Sequence, residues 1–239
     1  KLECLVNAFT PILYEDDEVF LAGMKDRNLA GDDIRRYQHW EWTQGVGLYG
    51  LWKLFDSTKE VRYLDILTKF FDSQIEIGFP ALNVNTMAPF LTMSYVGEYL
   101  QDERYLAPCR ESAAWIMAHF PRTQEGGFQH MPSDTLNDQE LWDDTLFMTV
   151  LFLANMGRIE GKQRYIDEAQ YQFLLHAKYL ADAETGLWYH GWTFHGNHNF
   201  AGAFWGRGNC WVTIAIPEFL QMVTCDATVR IQLIRILHD

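Results

Sequence analysis

Apolar residues recur at three- and four-residue steps along nearly the whole chain, the spacing that lays them on one face of a helix. Between Val61 and Gln74 the residues Tyr63, Leu64, Leu67, Phe70 and Phe71 keep that step, and Gly47 to Phe55 reads G-L-Y-G-L-W-K-L-F. The same pattern predicts helices over Ala88 to Leu100, Tyr105 to Phe120, Glu140 to Met156, Tyr165 to Leu180 and Trp211 to Val223. Breaks such as Ile77-Gly78-Phe79-Pro80 and Glu125-Gly126-Gly127-Phe128 separate them. No strictly alternating run is long enough to predict a sheet, so the chain is predicted to be all-α.

A weak repeat runs through these helices. Glu60-Val61-Arg62-Tyr63-Leu64, Asp102-Glu103-Arg104-Tyr105-Leu106 and Lys162-Gln163-Arg164-Tyr165-Ile166 each open a helix after a short polar turn. Units of that length are helical hairpins stacked side by side, as an open solenoid or a closed toroid. The repeated Arg-Tyr reads as structural, with the tyrosine packed between hairpins and the arginine near the turn. The unusual residues fall at hairpin junctions: Trp40-Glu41-Trp42, Gly126 to His130, Gly186 to Trp192 and Trp205 to Trp211. Loops on a rigid scaffold carry function, and junctions recurring with the hairpins would converge at one mouth. That favours the toroid, as a single domain over residues 1–239.

Composition narrows the partners. With 48% hydrophobic and 21% charged residues the chain is globular rather than disordered. No run of eighteen apolar residues occurs, so no membrane span is expected. A net charge of −13 argues against nucleic acid as the partner. Four scattered cysteines (Cys4, Cys109, Cys210, Cys225) form no C-x-x-C pair, which suits a reducing compartment. Lys1-Leu2-Glu3 opens without a basic leader segment. The expectation is a soluble, cytoplasmic, acidic protein. Nine Trp, eleven Tyr and sixteen Phe fit two readings equally, a wall for sugar rings or a large aromatic core.

Leu141-Trp142-Asp143-Asp144-Thr145-Leu146-Phe147-Met148 holds the first candidate chemistry. Asn137 with Glu140 suggests a capped helix start, placing both aspartates in its second turn. From Leu146 to Ala154 only Thr149 is polar, so this helix is expected inside the protein. A carboxyl entering it would be desolvated and would keep its proton toward neutral pH. The competing reading is a surface carboxylate favouring the helix N-terminus. His190, His195 and His198 lie close together, but glycines interrupt any helix there and no third ligand falls in register, so no metal is expected. His130 and His190 each follow a Gly-aromatic stretch, as residues at a pocket rim do. Arg207, framed by Trp205, Gly206, Gly208 and Trp211, can clamp a carboxylate or form an internal salt bridge.

The ordered motifs Trp40-Glu41-Trp42-Thr43-Gln44-Gly45-Val46, Gly126 to His130, Leu141 to Met148, Thr185 to His190 and Trp205 to Trp211 resemble those of the unsaturated rhamnogalacturonyl hydrolases, glycoside hydrolase family 105. These are relatives of the unsaturated glucuronyl hydrolases of family 88. The resemblance covers about Trp40 to Leu220. It implies an (α/α)6 barrel, no metal or organic cofactor, and a small oligosaccharide substrate ending in an unsaturated uronate. It also implies hydration of the C4=C5 double bond in place of the usual two-carboxylate attack on a glycosidic bond. The position matching the acid is Asp144. Trp42 and Trp142 match residues that stack on sugar rings, His130 and His190 match pocket histidines, and Arg207 and Trp211 match the far wall. Asn85 falls where relatives can have a second aspartate.

The resembling barrel continues for several helices past Pro217-Glu218-Phe219-Leu220, which implies that the last hairpins are absent here. Thr224 to Asp239 resembles nothing in that family. The expected activity is removal of an unsaturated galacturonyl residue from rhamnose-containing pectin oligosaccharides. A glucuronyl hydrolase acting on glycosaminoglycan-like fragments and a non-catalytic sugar-binding protein on an incomplete barrel are the alternatives.

Overall fold

A computed structural model describes the chain apart from residues 17, 27–33, 133–134 and 239. It divides into two compact units, Lys1–Arg110 and Glu111–Asp239. The first holds α1 (Leu2–Ile12), α2 (Glu18–Asp26), α3 (Ile34–His39), α4 (Trp42–Thr58), α5 (Val61–Ile77), α6 (Ala88–Leu100) and the start of α7 (Glu103–His119). The second holds the end of α7, β1 (Glu140–Trp142), α8 (Leu151–Ile159), α9 (Gln163–Leu180), β2 (Gly191–Thr193), α10 (Gly206–Met222) and α11 (Ala227–His238). Among the described residues no helix is long and apolar enough to cross a membrane. None of the four cysteines is in a disulfide.

In the first unit, α4 packs closely on α6 because Gly45 has no side chain. A Cβ there would overlap the Ala88 backbone and methyl. Trp40 is fully buried, stacked on Phe70, tilted against Phe79 and edge-on to Phe90, with its indole Nε1–H donating to Thr86 O at 2.9 Å. Much of the aromatic excess on this side is therefore core. The Arg-Tyr repeat is structural, as expected. Tyr63, Tyr105 and Tyr165 are buried, and Arg62, Arg104 and Arg164 lie over their rings at 4.6, 5.3 and 5.2 Å. A cation over a tyrosine face shields the buried ring at the helix start.

The second unit departs from the sequence pattern where its chemistry begins. Glu140 to Trp142 is a strand, paired antiparallel with β2 in the register Glu140↔Thr193, Leu141↔Trp192 and Trp142↔Gly191. Asn137 does not cap a helix. Its φ is 44°, and its side-chain amide donates to His130 O. Pairing with a segment fifty residues away claims this backbone, which a local helical pattern cannot foresee. Asp143 is the turn residue, and the helix starts at Asp144. Its next residues, Leu146–Val150, form a wider π-helical turn before α8. Such turns are rare and concentrate at functional sites. From Leu146 to Gly157 every residue is buried, as its nearly all-apolar sequence predicts.

Candidate active site

The hairpin of β1 and β2 brings the two chemical segments of the second unit together. At its open end the Asp143 N–H donates to His190 O at 3.1 Å. The side chains meet as well. His190 Nδ1 is 2.8 Å from Asp143 Oδ1 and 3.3 Å from Asp144 Oδ2. Asp143 is completely buried, whereas the Asp144 and His190 side chains are 15% and 17% exposed. The surface reading of the two aspartates is thereby excluded.

Burial pushes both carboxyls up to about 7. Contact with Asp143 raises Asp144 further, so the pair holds a proton toward neutral pH. Burial also lowers His190, and Arg207 pushes it the same way while Asp144 opposes. The net effect favours the neutral imidazole, whose Nδ1 lies within hydrogen-bonding distance of Asp143 Oδ1.

Aromatic rings wall this cluster. His130 stacks on one face of the Trp142 indole at 4.5 Å. Trp142 meets His190 edge-on at 4.8 Å and Phe200 at 5.7 Å, and its Nε1–H donates to Glu140. His190 meets Trp205 edge-on at 4.7 Å, and the Arg207 guanidinium lies 3.9 Å from the Trp205 ring centre. Trp211, on α10, is buried against Phe147. His130 is buried rather than at a rim, with Nδ1 on Thr145 Oγ1 at 3.0 Å, and burial lowers its pKa to about 3.

Thus His130, Trp142, Asp144, His190 and Arg207 are gathered around one spot in the second unit, whereas Trp211 packs on Phe147 of the buried helix. Trp42 and Asn85 belong to the first unit. Trp42 opens α4, its N–H donating to the capping Glu41 carboxylate, and the Asn85 N–H donates to Asn83 Oδ1. Three contributors escaped the sequence reading. Asp143 is the partner of His190 rather than a bystander, and Thr145 holds His130. Gly208 makes room, since a Cβ there would overlap the Asp143 carboxyl. Its only sequence signal is the glycine-rich Trp205 to Trp211 window. Ligand atoms of Asp143, Asp144 and His190 lie within 4.8 Å of one another, near enough to share a cation. A cation there would displace the proton that burial keeps on Asp144.

Stacked helical hairpins here bury an acid pair beside an imidazole, with indoles packed around it. The chain belongs to Glycosyl Hydrolase Family 88, whose family model matches residues 21–239. That match reaches past Thr224 and so corrects the expectation that the last residues resemble nothing in the family. The chain is 30% identical over 186 residues to the unsaturated rhamnogalacturonyl hydrolase YesR of Bacillus subtilis, covering 77% of this chain and 54% of that protein. It is also similar to two solved structures, each described as a possible member of the GH105 family. The one from Salmonella enterica is 46% identical with a TM-score of 0.81, over 83% of this chain and 53% of that one. The one from Klebsiella pneumoniae is 47% identical with a TM-score of 0.80, over 83% and 52%. The chain spans about half the length of these relatives.

Proposed function

We propose that this chain carries the acid site of an unsaturated rhamnogalacturonyl hydrolase, removing an unsaturated galacturonyl residue from rhamnose-containing oligosaccharides. The observation that carries the reading is the half-buried Asp144 carboxyl, raised by burial and by Asp143, with its Oδ2 3.3 Å from His190 Nδ1. A vinyl ether needs one carbon protonated near neutral pH, and a desolvated carboxylic acid supplies that.

The step is written from these residues. The π electrons of C4=C5 take the Asp144 proton, forming C4–H and leaving positive charge at C5 shared with the ring oxygen. Water bonds to C5 and its proton returns to the Asp144 carboxylate. The hemiketal opens to a C5 ketone, and the adjoining sugar leaves from C1. Trp142 offers its indole to the sugar ring, and Arg207 binds the uronate carboxylate as a bidentate partner. His130 acts from behind Trp142, and Trp211 supports the wall. The rhamnogalacturonyl rather than the glucuronyl reading follows the relationship to the Bacillus protein across three quarters of this chain.

Early-time proton NMR of the reaction in D2O tests this. One deuteron delivered to C4, with loss of the vinyl H4 signal as rhamnose appears, is expected. Release of rhamnose with the vinyl signal retained contradicts hydration.

A further inference from the structure

We infer that Asp143 is a positioning residue for this reaction, holding His190 as its Nδ1–H tautomer so that Nε2 faces the ligand as an acceptor. The inference rests on the proposed function but stands on separate geometry. Asp143 and His190 are tied at two points, the Asp143 N–H donating to His190 O at 3.1 Å and the His190 Nδ1 lying 2.8 Å from the Asp143 carboxylate. Asp143 has no exposure through which to reach a substrate. Its second oxygen lies against Gly208, where any side chain would displace it. The glycine of α10 thus keeps a slot for a carboxylate that can act only through its neighbours.

The consequence is a fixed assignment of protons. With Nδ1–H given to Asp143, the remaining ring nitrogen bears a lone pair. It can accept from a sugar hydroxyl or from the water that adds at C5, and it cannot compete with Asp144 as the acid. The groups that bear on the set are Asp144, Arg207 of α10, His130 behind Trp142, and His176 of α9, whose charge is felt at His130. Of these, only Asp144 lies within hydrogen-bonding range of His190 Nδ1 along with Asp143.

The test uses nitrogen NMR of histidine-labelled protein, which needs no turnover. In the wild type, and in Asp143→Asn, which keeps an acceptor oxygen, His190 should show a protonated Nδ1 and a bare Nε2 near pH 7. In Asp143→Leu the ring should pass to the Nε2–H form, and Gly208→Ala, which displaces the carboxylate without removing it, should do the same. Retention of the Nδ1–H form in both Asp143→Leu and Gly208→Ala overturns the inference. The second readout is the pH profile of Asp143→Asn. Loss of the neighbouring charge should move the alkaline limb of kcat down by about one pH unit, with kcat about tenfold lower and KM little changed. A limb that stays in place overturns the role. A wild-type chain that leaves an unsaturated substrate intact but keeps the expected tautomers refutes the proposed function alone, so the two failures are distinguishable.

Discussion

Asp143 and His190 meet twice, the aspartate N–H donating to the histidine carbonyl and the ring Nδ1 bonded to the carboxylate at 2.8 Å, although 47 residues separate them. The pairing closes the β1–β2 hairpin and fixes where the acid pair begins. It places Asp144, the next residue, at the mouth of a helix that is buried along its length. Structure and chemistry are thus set by one contact.

The desolvation that keeps Asp144 protonated also strains the fold. Its pKa is raised from an ordinary 3.8 to about 7, so the folded state binds this proton more tightly than the unfolded one. That advantage is complete below about pH 4 and is lost as pH rises through 7. Asp144→Asn should therefore stabilise the chain at pH 8 by on the order of 2–4 kcal/mol, with little gain at pH 4. Denaturant unfolding at the two pH values checks it, and an equal change at both would refute the sign.

The buried histidines act in the opposite sense. Burial lowers His130 to about 3 and His176 to about 4 from an ordinary 6.5. Both stay neutral in the fold, and the unfolded chain takes up their protons first as pH falls below 6.5. Stability should decline from pH 6.5 toward 4, and His176→Leu should flatten that decline. Melting temperature followed across the range decides it, and an unchanged slope would show that His176 does not bind protons differently in the two states.

The Arg207 guanidinium lies 3.9 Å from the Trp205 ring centre, and its planar fork suits a carboxylate. Arg207→Ala should raise KM about tenfold or more with a smaller effect on kcat, and lysine should rescue only part of it. Steady-state kinetics with the acid and with its methyl ester separate the cases. Equal losses on both would show that the arginine does not read the carboxylate.

A cation between Asp143, Asp144 and His190 would compete with the proton the chemistry uses. Dialysis against a chelator should leave turnover unchanged, and millimolar divalent cation should not raise it. A rate lost on chelation and restored by one metal would reassign the cluster.

The long helices were legible because each carries enough turns to repeat its apolar face, as over Val61–Ile77, Ala88–Leu100 and Gln163–Leu180. The site was legible by residue type, since the Asp-Asp, His and Arg motifs sit at junctions between those helices. Its geometry was not. Three-residue strands carry no periodicity, so Glu140 to Trp142 read as helix until Gly191 to Thr193 paired with it. Nothing local marks Asp143 as the deeper of two identical side chains. The Gly208 signal acquires meaning only when α10 packs over that carboxyl. His130 read as a rim residue because its glycine-rich approach looks like a loop, whereas Thr145 and Trp142 draw it inside.

The central claim is that Asp144 supplies the proton that consumes the double bond. It is tested most directly by the ultraviolet absorbance of unsaturated galacturonyl-rhamnose incubated with the wild-type chain and with Asp144→Asn. The absorbance should fall with the wild type and fall at least about a thousandfold more slowly with the variant, while both bind the disaccharide. A folded Asp144→Asn chain that consumes the substrate at the wild-type rate would contradict it.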